Sequence, residues 1–160
     1  MERRIDWKAA APRGLHAMLG LQGYVNNGGL EHSLLELVKM RASQINGCAF
    51  CLDMHFKDAV AAGETPQRLY LLDAWRETDL YTGRERAALA WTEALTLVTQ
   101  GHVPDAVYEE ARRHFNDTEL ANLSLAIVAV NGWNRLQIAF RAEAGSYQPG
   151  DVARLARTGS

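Results

Sequence analysis

Apolar residues recur at helical spacing through most of this chain, and no segment alternates with the period of two that a half-buried strand needs. That restricts the chain to an all-α fold, which helix start and stop signals divide. Pro12 opens a first helix with Leu15, Met18, Leu19 and Val25 inward, and Asn26-Asn27-Gly28-Gly29 breaks it. Leu34, Val38, Ala42 and Ile45 stripe a second helix, from about Leu30 to Ile45, that Asn46-Gly47 ends. A third opens near Cys48 and stops before Gly63. Thr65-Pro66 reads as an N-cap followed by proline at the first helical position, starting a fourth helix with Leu69, Leu72 and Trp75. Thr82-Gly83-Arg84-Glu85 reads as a capping box for a fifth, striped by Ala87, Trp91, Ala94, Leu95 and Val98. A sixth follows Pro104 and uses Val107, Tyr108, Ala111 and Phe115. A seventh begins near Asp117-Thr118 and extends toward Glu143. It is apolar nearly all round as far as Asn131-Gly132, so it belongs at the centre of the molecule or in a subunit contact. The expectation is a compact single-domain helical bundle of about six to seven helices over residues 1–144, followed by a tail, 145–160, that is a loop with at most one short turn.

Composition narrows the class. The chain has 160 residues, 48% hydrophobic and 22% charged, enough to bury a core without disulfide or metal staples. A formal net charge of −2, with no basic patch interleaved with aromatics, gives nucleic acid no footing. The segment from Met1 to Trp7 has no apolar run behind its charges, unlike a secretory leader. The most apolar stretch, from Leu120 to Trp133, is interrupted by Asn122, Ser124, Asn131 and Gly132, and is too short and polar to span a bilayer. The expected compartment is the cytoplasm, with no membrane partner. In that reducing environment a pair of nearby cysteines is catalytic, redox-sensing or metal-binding rather than structural.

Both cysteines lie in Gly47-Cys48-Ala49-Phe50-Cys51-Leu52-Asp53-Met54-His55. Residues three and four apart share a helix face, so Cys48, Cys51 and His55 form one cluster. Two thiols that can close into a disulfide, beside an imidazole that exchanges protons near neutrality, are the minimum equipment for dithiol redox chemistry. Ala59 and Ala62 continue that face and leave room for another helix or a substrate. The plainer reading is two buried cysteines acting as small hydrophobes beside a core histidine. Zinc is a further alternative, but one C-x-x-C and one His make three ligands where a structural site takes four, and His16, His32, His102 and His114 show no ligand spacing. Covalent haem needs His directly after the second Cys, where Leu52 stands. A thioredoxin-type site needs a βαβ context that the chain lacks.

Glu36, then Cys48 twelve residues on, then Cys51 and His55, set in Ser43-Gln44-Ile45-Asn46-Gly47-Cys48, resembles the core motif of the alkylhydroperoxidase D-like (AhpD-like) family within the carboxymuconolactone decarboxylase superfamily. Asn131-Gly132-Trp133-Asn134-Arg135 resembles the same family, and the likeness covers roughly residues 12–140. It implies an all-helical homotrimer or homohexamer that reduces hydroperoxides through a vicinal dithiol, with no bound cofactor and with an external dithiol, lipoyl-type in some members, as electron donor. By position it implies that Cys51 attacks the peroxide, Cys48 resolves, and His55 and Glu36 relay protons. Phe50 departs from the pattern: the best-studied members place a second histidine there, which leaves His55 as the one imidazole of the motif.

Pattern alone treats Glu36 differently. It lies opposite the apolar stripe of its helix, where it reads as a solvated side chain paired with Lys39. If it serves the dithiol, the polar side of the second helix faces the cysteines instead of water. Arg41 falls inside the apolar stripe, so it snorkels or pairs with a buried carboxylate. Asp53 and Asp58 read as solvated, Trp75 and Trp91 as core, and Trp133, Asn134 and Arg135 as packing or subunit contacts.

The residues leave the order of attack open. A helix start favours the thiolate at Cys48, and an imidazole one turn away favours it at Cys51. The resemblance assigns attack to Cys51. A decarboxylase-like enzyme and a non-catalytic redox sensor are the rival classes. The first has no need of vicinal cysteines, and the second oxidises once where an enzyme cycles.

Overall fold

The structure, a computed structural model, describes residues 2–151. It contains α1 (Trp7–Ala10), α2 (Pro12–Asn26), α3 (His32–Asn46), α4 (Ala49–Ala61), α5 (Pro66–Tyr70), α6 (Gly83–Thr96), α7 (Asp105–His114) and α8 (Asp117–Ala139), with 3-10 turns at Leu72–Glu77 and Val98–Gln100. Among the described residues there is no strand, and no helix is long and apolar enough to cross a membrane. The short α1 is an element that the sequence pattern does not announce. The part of the expected tail beyond residue 151 lies outside the described residues.

Local signals set several boundaries. Thr65 caps α5 through a bond from Arg68 N–H (3.4 Å), with Pro66 at the first helical position. Thr82 and Glu85 close the reciprocal capping box of α6. Gly47 ends α3 in the left-handed region (φ 66°). Its N–H bonds Gln44 O (3.2 Å) and the next N–H, of Cys48, bonds Ser43 O (3.1 Å), the paired bonds of a Schellman motif. Cys48 then caps α4 at once, so α4 doubles back along α3 with no loop between them.

The enclosed helix is α3, not α8. One of its faces, Leu34, Leu35 and Val38, packs with Trp91 of α6, Phe115 after α7, and Leu123 and Ile127 of α8. A second face, Leu37 and Met40, packs with Ala59 of α4, Leu69, Leu72 and Trp75, and Leu89 of α6. Its third face is Glu36, Lys39 and Ser43, also buried, so a helix whose sequence shows only one apolar stripe is covered on every side. By contrast, α8 leaves Leu125 and Val128 36% and 57% exposed. Two smaller expectations also change. Val98 is exposed, because α6 has ended at Thr96 and the chain has turned. The last long helix stops at Ala139, short of Glu143, and Arg141 adopts a left-handed backbone.

Candidate active site

The turn between α3 and α4 places the dithiol. Cys48 and Cys51 are joined as a disulfide, with both side chains buried. Cys48 Sγ also lies 3.4 Å from the Cys51 N–H, the capping contact at the start of α4. An amide network fixes the approach to this turn. Asn46 Nδ2 donates to Asn131 Oδ1 (3.0 Å) and Asn134 Oδ1 (2.9 Å), Asn134 Nδ2 donates to Ser43 Oγ (3.0 Å), and Asn131 Nδ2 donates to Thr96 Oγ1 (3.0 Å). Asn134 is fully buried, so each unmade bond there would cost the desolvation of an amide. Asn131 and Asn134 thus lock the α3–α4 turn to α8.

His55 lies one turn beyond Cys51 on the same face of α4, and it is buried. Its Nδ1 is 3.2 Å from Glu36 Oε2. A carboxylate only accepts, so Nδ1 carries the proton in this bond and Nε2 is the nitrogen left for chemistry. Lys39 Nζ donates to Glu36 Oε1 (2.9 Å), and the exposed His32 stands 3.7 Å from the same oxygen. Burial alone would raise the Glu36 pKa. The His55 hydrogen bond and the Lys39 charge outweigh it and hold the carboxyl at about 2, so it is ionised at any ordinary pH. The expected pairing of Glu36 with Lys39 is present, but the pair is buried against α4 rather than solvated.

Glu36, His55 and Cys51 open onto one cavity of about 560 Å3. Cys48 does not line it, although it is bonded to Cys51. Phe50 and Met54 of α4, Leu15 and Leu19 of α2, and Val130 and Trp133 of α8 also line the cavity. Leu15 and Leu19 are only half-buried because they face this space, not a closed core. Phe50, immediately before Cys51, contributes an apolar wall to the cavity.

Other sequence-singled residues fall as follows. Arg41 pairs with a carboxylate away from the cavity: its Nε donates to Glu93 Oε1 (2.8 Å), and its guanidinium also meets Asp73. Burial would raise the pKa of Glu93, but bonds from Trp75, Arg76 and Arg41 lower it. Trp75 and Trp91 are core. Trp133 contacts Trp7 (ring centroids 6.0 Å apart) and donates to Gln22 Oε1 (3.1 Å), while also lining the cavity. Arg135 is exposed and bonds Asn131 O within its own helix.

Asp58 is not simply solvated. Tyr147 OH donates to its carboxylate (2.8 and 2.9 Å), and Lys57 Nζ holds the carbonyls of Gly145 and Tyr147 (3.1 and 3.0 Å). Asp53 is also engaged, by Lys57 and by the Gly145 N–H. The segment from Gly145 therefore straps back over α4, and Tyr147 is buried. Burial raises the Asp58 pKa, only partly offset by the Tyr147 bond. The Tyr147 pKa is raised too, first by burial and then by Asp58. Lys39, His32, Asp58 and Tyr147 are cavity residues that motif reading does not single out. Lys39 had a signal, its spacing from Glu36. Tyr147 had none, because its partner lies 89 residues away. Among the described residues, no group of three or more His, Cys, Asp or Glu side chains is arranged to hold a metal ion.

The model of the carboxymuconolactone decarboxylase family matches residues 12–94. An uncharacterised Bacillus subtilis protein, YdfG, is 41% identical over 146 residues, which span 91% of this chain and 99% of that protein. The crystal structure of ATU0492 from Agrobacterium tumefaciens, a protein of unknown function likened to the antioxidant defence protein AhpD, superposes with a TM-score of 0.88 at 41% identity, over 91% of this chain and all of that one. The AhpD-core structure of a peroxidase-related protein from Ralstonia eutropha shares the fold, with a TM-score of 0.76 at 18% identity over 87% of this chain and 74% of that one.

Proposed function

This chain belongs to the carboxymuconolactone decarboxylase family as an AhpD-like member, and we propose that it is a thiol-dependent peroxidase that reduces hydroperoxides through a Cys48/Cys51 dithiol cycle. The observation that carries the reading is the shared cavity: Cys51, His55 and the ionised Glu36 line it, and Cys48 stands behind the sulfur it would resolve.

In the proposed cycle the disulfide is first opened by an external dithiol, which leaves two thiols and an oxidised donor. His55 Nε2 takes the Cys51 proton, and Glu36 stabilises the imidazolium through Nδ1. The Cys51 thiolate attacks one peroxide oxygen. The O–O bond breaks, Cys51 becomes a sulfenic acid, and the departing alkoxide takes a proton from His55 and leaves as an alcohol. The Cys48 thiol then condenses with the sulfenic acid, forming the disulfide and releasing water. The two sulfurs already sit within one turn, with Cα atoms 5.3 Å apart, so condensation competes well with over-oxidation. Lys39 neutralises the second oxygen of Glu36, which keeps a carboxylate tolerable at a buried site.

The proposal includes a homotrimer or homohexamer and a cytoplasmic setting. Exposed Leu125 and Val128 on α8 support an assembly, because they leave apolar surface that a further copy would cover. The testing experiment is hydroperoxide consumption with tert-butyl hydroperoxide, using dihydrolipoamide and other dithiols as donors. Many turnovers per chain with at least one donor are expected. One equivalent consumed and then none, with every donor, identifies a redox sensor and removes the peroxidase reading.

A further inference from the structure

The cavity is large and asymmetric. About 560 Å3 is some twenty times the roughly 30 Å3 share of one water molecule, so it is not shaped for hydrogen peroxide. It lies within the range of sites that hold organic molecules of ten or more heavy atoms. Leu15, Leu19, Phe50, Met54, Val130 and Trp133 give it an apolar body.

Most of its polar groups are already engaged. Glu36 is shared by Lys39 and His55, Asp58 is held by Tyr147, and Gln22 accepts from Trp133. Lys8 differs. It lines the cavity, is half-buried, and its Nζ has no hydrogen bond or ion pair among the described residues. Its acidic neighbour is occupied: Asp6 Oδ1 accepts the N–H groups of Lys8 and Ala9 and pairs with Arg3 (2.8 Å). The packing of Trp7 on Trp133 fixes this turn of helix, which presents the next residue, Lys8, to the cavity.

A second cavity of about 230 Å3 adjoins there, and Lys8, Phe50 and Gln137 line both. Lys8 therefore stands on the same wall as Phe50, the residue immediately before Cys51. Arg3 adds positive charge to the smaller cavity and Glu143 the opposing charge. The acidic Asp58 and Asp151 belong to the strap side of the main cavity.

Resting on the peroxidase reading, we infer that Lys8 is a specificity-determining residue, and that the preferred substrate is an organic hydroperoxide with an apolar chain and a carboxylate that Lys8 binds. A carboxylate meets a half-desolvated ammonium there, while its chain lies against Phe50, Met54 and Trp133 with the peroxide group over Cys51. Burial and then Arg3 lower the Lys8 pKa, and the nearby Asp6 charge, shared with Arg3, offsets them only in part.

The test compares a linoleic acid hydroperoxide with its methyl ester, and uses tert-butyl hydroperoxide as a substrate too small to span the site. Wild-type protein should favour the acid over the ester by about tenfold in kcat/KM, mainly through KM. Lys8→Met should bring acid and ester within about twofold, Lys8→Arg should keep the preference, and tert-butyl hydroperoxide reduction should not change. Binding of decanoate against methyl decanoate, read by tryptophan fluorescence with Trp133 in the wall, should show the same difference without any turnover. Equal treatment of acid and ester by the wild type, in both readouts, overturns the inference and leaves the peroxidase reading intact. A Lys8→Met effect confined to the KM of the reductant also overturns it. Selective binding of decanoate with no hydroperoxide reduced would retire the peroxidase reading and keep the anion subsite.

Discussion

Replacing Glu36 by glutamine removes the charge that organises the site, and the consequence can be sized. The carboxyl sits at about 2 in the folded protein against an ordinary 4.5, a difference of about 2.5 pH units. At 1.36 kcal/mol per unit this is about 3 kcal/mol in favour of the ionised form, the net of its bonds to His55 and Lys39 over the cost of burial. Because the folded pKa is depressed, the contribution is fully present above pH 4.5 and is lost as pH falls toward 2. Glu36→Gln should therefore be less stable at pH 7 by about 3 kcal/mol or somewhat more, since Lys39 is left buried without a counter-ion. It should also lose about 3 kcal/mol less than wild type between pH 4.5 and 2. Urea unfolding of the oxidised proteins at fixed concentration, repeated across that window, measures both. Parallel stability curves for the two proteins would refute the reasoning, because they would mean that Glu36 titrates as a solvated carboxylate.

Other expectations follow from single contacts. Asn134→Ala removes a fully buried amide, orphans Ser43 and leaves Asn46 only its bond to Asn131, so unfolding should be easier by about 2 kcal/mol, with slower disulfide re-formation because the turn before Cys48 loosens. Tyr147→Phe frees the strap from Asp58. It should cost about 1 kcal/mol and speed labelling of the reduced thiols by a bulky maleimide. His55→Ala should move the pH at which the reduced protein reacts with hydroperoxide upward, toward the ordinary thiol value near ~8.5, without abolishing the reaction, because Cys51 remains in the first turn of α4.

Much of the frame was legible because its signals are local. The Thr82–Glu85 box, Thr65-Pro66 and the Gly47 stop each act within four residues, and each appears where its chemistry places it. The i, i+3 and i+7 spacing of Cys48, Cys51 and His55 needed only helix geometry. What hydrophobic periodicity could not show is a polar face that is buried. It assigns Glu36 and Lys39 to water, but mutual neutralisation and His55 let them face α4. The same logic hid the enclosure of α3, since its apolar residues split between two cores and read as one imperfect stripe. In α8 the uniform apolar character concealed that Leu125 and Val128 face outward. Tyr147 and Lys8 were out of reach for another reason. Each reaches the cavity through a short segment at the edge of the fold, held by contacts to α4 or α8 that no local spacing encodes.

The central claim is that Cys51 is the sulfur that meets the peroxide and Cys48 the one that resolves it. The most direct measurement is trapping of sulfenic acid with a dimedone-type reagent in Cys48→Ser and Cys51→Ser after one equivalent of tert-butyl hydroperoxide, read by peptide mass spectrometry. The label should appear at Cys51 in Cys48→Ser, which lacks the resolving thiol, and Cys51→Ser should stay unlabelled. A label at Cys48 in Cys51→Ser, with none at Cys51 in Cys48→Ser, would contradict the assignment and make the helix-capping sulfur the nucleophile.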